Sequence, residues 1–197
     1  MDKILLYGFE KYDILQSNPS AEVCKILEKN LSNKITLKVV ILPTTFDAWN
    51  ILHKSIKEFK PTLIMGLGVA PNRSRVEIEA IGLNIIDSPK PDVTKKVIRH
   101  EYIDKNAPLA LKATIDPLQM YNQLKKTNIP VVISYHAGTY VCNYVYFNCL
   151  NHAKKEGIKS VFIHLPLSPD EVNRLDADKA SFPVEMIAKS LGECLLT

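Results

Sequence analysis

One cysteine of this sequence lies where the start of a helix would make it reactive. Residues 131–135 form an apolar run, and a short turn that contains Gly138 separates this run from a predicted helix whose first turn carries Cys142. The unpaired N–H groups and the positive dipole end of a helix N-terminus favour the thiolate form of a cysteine. A glycine-containing turn between strand and helix also commonly presents a nucleophile. The alternative is that Cys142 is only a small buried residue of a helix.

A histidine that could serve such a thiol ends another apolar run. His164 follows the run at residues 160–163 and is itself followed by Leu165 and Pro166. Ligands of open α/β sheets bind beyond the carboxyl ends of strands, which is where we expect His164. Its imidazole titrates near neutral pH and could take the thiol proton. The alternative is a structural histidine with satisfied hydrogen bonds.

A carboxylate that could orient this imidazole comes earlier in the chain. If residues 76–85 form one strand, alternation places Glu79 on a face that is otherwise apolar. A carboxylate on such a face needs a partner, and a catalytic imidazole would supply one. The alternative is that Glu79 lies at an exposed strand end or pairs with Arg73 or Arg75. Glu77 is interpreted as facing the solvent.

The elements that would position these residues alternate along the chain. Strand-like apolar runs alternate with amphipathic stretches, which predicts a single-domain α/β/α sandwich over residues 1–197 with a mostly parallel, twisted sheet. The predicted strands cover residues 3–9, 35–42, 62–66, 76–85, 131–135 and 160–165. The predicted helices cover residues 19–32, 46–59, 117–127, from just after Gly138 to about Lys155, and 183–195.

Two of the helix starts and one excursion from the sheet are marked by sequence signals. Asn18 and Asp116 each place a capping side chain directly before a proline. Proline is favourable at the first helical position because its missing N–H costs nothing there. The stretch 88–113 is rich in Pro, Lys and Asp, and we expect it to leave the sheet, with a short hairpin at residues 93–102.

The composition narrows the class of protein. The chain of 197 residues carries 25 Lys and Arg against 21 Asp and Glu, and its basic residues are scattered, so we expect no nucleic-acid partner. The start of the chain does not resemble a secretion signal, and no apolar run approaches the roughly 18 residues of a membrane helix. We therefore expect a cytoplasmic protein with reduced thiols and no membrane partner. Its four cysteines, Cys24, Cys142, Cys149 and Cys194, lack the spacing of a zinc site, and we expect no metal.

Several segments together resemble the pyroglutamyl peptidase I (pyrrolidone-carboxylate peptidase) family of cysteine peptidases. His136–Tyr144 is similar to the family's S-A-G-[TLR]-[FY]-[VL]-C-N, and Phe162–Pro166 is similar to F-[IV]-H-V-P. Gly68–Asn84 resembles G-x-A-x-G-R-x…[IL]-E-[RK]-x-[AG]-x-N. Tyr7–Glu10 and Asn18–Ser20 fit the opening T-G-F-x-P-F-G-G…N-P-[ST]. The likeness covers nearly the whole chain in order.

This resemblance implies a function and a set of site residues. It implies a phosphorylase/hydrolase-like fold and a triad of Cys142, His164 and Glu79 that removes an N-terminal pyroglutamyl residue from peptides through a thioester, with no cofactor. The backbone N–H of Cys142 would stabilise the oxyanion. The resemblance also implies a homo-oligomer, a dimer or a tetramer. The substrate pocket that it implies is formed by Phe9, Tyr12, Asn18, Val69, Tyr140 and Val141.

The sequence departs from the family pattern at two places near this pocket. The family's P-F-G-G is replaced by Lys11-Tyr12-Asp13-Ile14, which lacks both glycines. Pro89 stands where many members have an arginine that assists the oxyanion, and Lys90 follows it as a possible substitute. The first departure alters the wall of the pocket, and the second removes the arginine from the oxyanion.

Two other functions remain open at this point, and one is excluded. Gly66-Leu67-Gly68 is a glycine-containing loop signal that a nucleoside phosphorylase could use. A non-catalytic binding module of the same fold is the other alternative. A cysteine phosphatase is excluded because its Cys-x5-Arg loop would need arginine at the position of Asn148.

Overall fold

The computed structural model describes residues 2–13 and 15–196. Within them, the strands are β1 (Lys3–Phe9), β2 (Thr36–Leu42), β3 (Leu63–Val69), β4 (Val76–Glu79), β5 (Ile81–Leu83), β6 (Ile86–Ser88), β7 (Ile98–Glu101), β8 (Ala110–Lys112), β9 (Val131–Ser134) and β10 (Lys159–Leu165). The helices are α1 (Pro19–Leu31), α2 (Ala48–Phe59), α3 (Pro117–Lys125), α4 (Val141–Glu156), α5 (Pro169–Leu175) and α6 (Val184–Leu195).

A six-stranded sheet in the order β2-β1-β3-β10-β4-β9 forms the centre of the molecule. Neighbouring strands are parallel except for the pair β10 and β4, which is antiparallel. Four strands therefore run in one direction, while β4 and β9 run in the other. The prediction of an α/β fold with a mostly parallel sheet is confirmed.

Both faces of this sheet are covered, which makes three layers. In β1, Ile4 and Leu6 pack into a core that includes residues of α1, α3 and α6. Leu5 and Tyr7 point to the other face, into a core that includes residues of α2 and α4. Successive side chains of a strand point to opposite faces, so a strand buried on both faces is a continuous apolar run.

The predicted helix starts are confirmed by their capping contacts. The side chain of Asn18 accepts a hydrogen bond from the N–H of Ser20 at the start of α1. The side chain of Asp116 accepts one from the N–H of Leu118 at the start of α3. The short helix α5 was not predicted, although Ser168 caps it by accepting from the N–H of Glu171. Within the described part of the chain, the helices lack the length and apolar character needed to cross a membrane.

The single strand predicted over residues 76–85 is wrong. The chain leaves the central sheet after Glu79, and β5 pairs with β8 in a separate antiparallel sheet. The hairpin predicted at residues 93–102 is also wrong, because β7 pairs with β6. The carboxylate of Asp92 accepts hydrogen bonds from the N–H groups of Thr94 and Lys96, and this local turn takes the place of a strand.

Candidate active site

The three predicted catalytic side chains lie together. Nδ1 of His164 is 2.7 Å from Oε1 of Glu79. Cys142 lies close enough to the His164 ring to raise its pKa. Since Nδ1 bonds to Glu79, the ring nitrogen that remains for the thiol is Nε2. Thiol, imidazole and carboxylate thus lie in series, the order in which a nucleophile, its base and an orienting group act.

Glu79 reaches His164 through the antiparallel pairing of β4 with β10. It lies directly opposite Phe162, two residues before His164, so all three side chains project from the same face. Glu79 is 0% exposed, and its second oxygen, Oε2, has no hydrogen-bond partner among the described residues. Its bond to His164 is therefore the contact that offsets the cost of burying this carboxylate.

Glu77 was interpreted as solvent-facing, and this is wrong. It is 6% exposed and lies directly opposite His164 in the strand pair. The physical reason is the period of two, which puts Glu77 and Glu79 on the same face of β4. Burial raises the pKa of Glu77, and Arg73, whose Nη1 lies 3.3 Å from Oε1, opposes that rise. The alternation of the strand was the sequence signal that could have found this second carboxylate.

Cys142 does not reach the site directly from the carboxyl end of its strand. β9 runs parallel to β4 and antiparallel to β10, so its carboxyl end points away from that of β10. The chain must therefore return before α4 begins. Gly138, with φ of 81°, adopts a left-handed conformation in this return, and the Thr139 hydroxyl donates to the carbonyl of Asp87 at 2.7 Å.

The first turn of α4 presents both the thiol and open N–H groups. Tyr140 is the N-cap, and in the described structure its side chain makes no hydrogen bond to that turn. Cys142 is the second helical residue, so its N–H is one that the helix leaves without an internal partner. Its sulfur packs against Gly68, where a Cβ atom would lie only 3.2 Å from Sγ.

Asn143 fixes this turn against the neighbouring chain and was not predicted as a site residue. It is fully buried, accepts from the N–H of Leu83 at 2.8 Å, and donates to the carbonyls of Leu83 and Ile85. A buried asparagine must satisfy its amide, so these bonds hold the residue next to Cys142 in one place. Its position directly after the cysteine in the resembling segment was the available signal.

The environment of His164 favours its protonated form. Burial alone would lower the pKa of His164, but the neighbouring Cys142 thiol, the hydrogen bond to Glu79 and the negative charges of both side chains outweigh it. Together they raise this pKa to about 9. The ring is therefore positively charged at neutral pH and sits next to the thiol.

Aromatic and apolar residues lie beside these three groups. The Phe9 and Phe162 ring centroids are 6.5 Å apart, and the Phe162 ring in turn lies 4.9 Å from that of His164. Tyr12 packs against a small cluster that contains Val69. Burial raises the pKa of Tyr12, and the charge of Cys142 raises it further, which places this hydroxyl in the field of the thiol.

Tyr140 and Val141 lie immediately before the thiol at the start of α4. The Tyr140 hydroxyl donates to the carbonyl of Pro91 at 2.9 Å, and burial raises the pKa of this hydroxyl to about 12. Val141 is fully buried. Asn18, by contrast, accepts from Ser20 and donates to the carbonyl of Glu10, so its amide is engaged in shaping the loop.

The two departures from the family pattern meet in the structure. The Lys90 ammonium forms an ion pair with Asp13 and lies 4.8 Å above the centroid of the Tyr12 ring. Lys90 thus ties the segment after β1 to the segment after β6. Ile14, the last residue of the altered loop, lies outside the described residues.

Comparisons with known proteins agree with this geometry. The family model described as pyroglutamyl peptidase matches residues 2–195. The pyrrolidone-carboxylate peptidase of Thermococcus litoralis is 37% identical over 175 residues, covering 87% of this chain and 80% of that protein. The corresponding protein of Pyrococcus furiosus is 34% identical over 173 residues, covering 86% of this chain and 83% of that protein.

Solved structures extend the likeness to the fold. The crystal structure of pyrrolidone carboxyl peptidase from Fervidobacterium islandicum AW-1 has a TM-score of 0.94 at 29% identity and covers 100% of this chain and 97% of that one. That of the Thermococcus litoralis enzyme has a TM-score of 0.91 at 34% identity and covers 99% and 92%. Neither a nucleoside phosphorylase nor a non-catalytic module is favoured by these matches. The chain belongs to the pyroglutamyl peptidase family.

Proposed function

We propose that this chain is a cysteine exopeptidase, a pyroglutamyl peptidase I, that removes an N-terminal pyroglutamyl residue from peptides and proteins. Cys142 is the nucleophile, His164 the general acid and base, and Glu79 the group that orients His164. The observation that carries this proposal is that the His164 ring bonds to the Glu79 carboxylate at 2.7 Å and has the Cys142 thiol beside it.

Each step of the reaction has a group in place. The Cys142 sulfur, as thiolate, attacks the carbonyl carbon that joins pyroglutamate to the next residue, and the carbonyl oxygen becomes an oxyanion. The N–H of Cys142, at the positive end of α4, donates to that oxyanion. His164 gives its proton to the leaving amine as the C–N bond breaks, which leaves a thioester.

Hydrolysis of the thioester restores the enzyme. His164, now neutral, takes a proton from water as the water oxygen attacks the thioester carbon. The second oxyanion collapses, the C–S bond breaks, and pyroglutamate leaves with the free thiolate and a protonated His164 restored. Glu79 keeps Nδ1 protonated throughout, so Nε2 is the nitrogen that exchanges protons with the thiol, the amine and water.

The pocket suits an uncharged lactam ring. Phe9, Tyr12 and Val69 supply apolar surface beside the thiol, and Tyr140 and Val141 supply backbone groups at its edge. We propose these five residues as substrate contacts, with Asn18 shaping the loop that carries Tyr12. A small apolar site with a few amide hydrogen bonds favours the neutral ring over the ammonium of an ordinary N-terminus.

Release of a chromogenic amine from a pyroglutamyl amide tests this function. Wild type is expected to release the amine, and Cys142→Ala to lose at least about 1,000-fold in kcat/KM, since the nucleophile is gone. The matched control is Cys194→Ala on α6, which is expected to stay active. A prolyl amide, which has a charged ring nitrogen, should not be cleaved. Absence of release by wild type, or equal activity of Cys142→Ala, would contradict the proposal.

We further propose that residues 1–197 form a single peptidase domain that works in the cytoplasm as a homo-oligomer, a dimer or a tetramer. The continuous central sheet supports the single domain. The four cysteines form no disulfide within the described residues, which suits a reducing compartment, and the family resemblance supports the assembly. Light scattering coupled to size-exclusion chromatography measures the mass, and a monomer at micromolar concentration would contradict the proposed assembly.

A further inference from the structure

A second carboxylate lies next to the proposed catalytic histidine. Glu77 is directly opposite His164 in the antiparallel pair, and Glu79 lies one step along the same face. Side chains directly opposite each other in such a pair have Cβ atoms about 4.5–5.5 Å apart. His164 is thus flanked by two carboxylates on β4, of which only Glu79 makes a hydrogen bond to the ring.

The Glu77 carboxylate is buried and contacts one arginine. Glu77 is 6% exposed, and Nη1 of Arg73 lies 3.3 Å from its Oε1. Its Oε2 is buried and has no hydrogen-bond partner within the described chain. One arginine therefore anchors this carboxylate from the outer side, while the other oxygen is left to act on its surroundings through its charge.

The groups that face His164 come from three elements. Glu77 and Glu79 face it from β4, and Cys142 faces it from α4. The residue opposite His164 on β3 is Gly68, which has no side chain and no charge. The charges that act on Glu77 are those of Arg73, Glu79, His164 and Arg75.

We propose that Glu77 is a positioning residue of this site, which stabilises the protonated His164 ring from across the strand pair while Arg73 keeps the Glu77 carboxylate in place. The inference rests on the proposed function, because it assigns Glu77 to the histidine that protonates the leaving amine. Glu79 sets the orientation of the ring, and Glu77 adds negative charge beside it. A nearby opposite charge in a site of low dielectric constant favours the charged imidazolium.

The pH dependence of kcat is the first test. In Glu77→Gln the alkaline limb of the pH–rate profile is expected to move down by roughly one pH unit, because His164 loses its proton earlier. KM at low pH should stay the same. Glu77→Asp keeps the negative charge, so its alkaline limb should lie at the wild-type position. The matched control is Glu185→Gln, an exposed glutamate of α6, which removes the same charge far from the site.

Arg73→Met tests whether the arginine holds this carboxylate. Because Arg73 keeps the Glu77 carboxylate in place, Glu77→Gln should move the alkaline limb less in an Arg73→Met background than in wild type. A purely structural role for Glu77 would lower activity at every pH without moving the limb. An unmoved limb in folded Glu77→Gln, or an equal shift in the two backgrounds, would overturn the proposal.

A measurement without turnover separates this inference from the proposed function. In a Cys142→Ala background, the His164 ring can be titrated by NMR. Adding Glu77→Gln should lower the midpoint of that titration by roughly one pH unit. If wild type cleaves no pyroglutamyl amide but this shift is seen, the proposed function fails and the role of Glu77 stands. If wild type is active and the midpoint does not move, only the role of Glu77 fails.

Discussion

The sulfur of Cys142 rests directly against the backbone of Gly68. A methyl group at Gly68 would lie 3.2 Å from Sγ of Cys142 and 2.7 Å from Cζ of Phe162. Both distances are shorter than a carbon atom tolerates without movement, so the missing side chain is what allows the thiol to sit against β3. Gly68 is also the residue opposite His164 on that strand, which places the thiol beside the imidazole.

Gly68→Ala should therefore displace the thiol. We expect kcat to fall by about 100-fold, since a shift of about 1 Å in a reacting group can cost that much, and the free energy of unfolding to fall by about 1–3 kcal/mol from overpacking. Gly192→Ala on α6 is the matched control, because its methyl group would make an ordinary contact at 3.4 Å with Leu27. Amide-substrate kinetics and urea unfolding measure both effects. Unchanged kcat in Gly68→Ala would show that the contact does not position the thiol.

Asn143→Ala should loosen the turn that carries Cys142. The substitution removes the partner of the Leu83 N–H and of the carbonyls of Leu83 and Ile85, all bonded to this side chain. We expect a loss of about 2–4 kcal/mol in the free energy of unfolding and a drop in kcat. Asn148→Ala, on the same helix, removes only a bond to the Tyr144 carbonyl and should cost far less. Urea unfolding measures the loss in each variant. Equal losses in Asn143→Ala and Asn148→Ala would contradict this account.

The stability of the protein should depend on pH through His164. The pKa of His164 in the folded protein is about 9, above the ordinary 6.5. The stabilisation of the folded state by protonated His164 is therefore complete below about pH 6.5 and is lost as the pH rises through about 9. The full contribution is about 3 kcal/mol. The measurement is the difference in unfolding free energy between wild type and His164→Gln across that range. The difference should shrink with rising pH, and a constant or growing difference would refute the assignment.

Lys90→Gln should weaken substrate binding more than stability. The ion pair with Asp13 is exposed and contributes less than about 1 kcal/mol to stability. Its loss also removes the ammonium above the Tyr12 ring and frees the loop beside the thiol. We expect KM for a pyroglutamyl amide to rise about threefold to tenfold with little change in kcat. Lys96→Gln, an exposed lysine of the same excursion, is the control, and equal KM values in the two variants would exclude a role for Lys90 in the pocket.

Local signals in the sequence were enough for several features of the site. Asn18 and Asp116 precede prolines, and both cap the helices that they were expected to cap. His164 lies near the end of a buried strand, and Cys142 lies in the first turn of a helix, as expected. Each of these features depends on residues a few positions apart, where hydrogen-bonding and periodicity rules apply directly.

The strand partners within residues 80–113 were not predicted correctly, because strand pairing joins residues that are distant in sequence. The chain leaves the central sheet after Glu79 because β5 finds its partner in β8 and β6 finds its partner in β7. Nothing within residues 76–85 specifies those partners. The period of two was enough to put Glu77 on the face of Glu79, but its place opposite His164 depends on the pairing of β4 with β10, which no local pattern specifies.

By itself the sequence determined which groups could do chemistry and on what kind of element each stands: a thiol on a helix start, an imidazole on a strand end and a carboxylate in a strand. Only the tertiary structure decided that the three meet, since His164 and Glu79 are 85 residues apart and make contact through the antiparallel pairing of β10 with β4. Contacts over such separations depend on which strands pair and in which direction. Those choices minimise the free energy of the whole core, and no single segment encodes them.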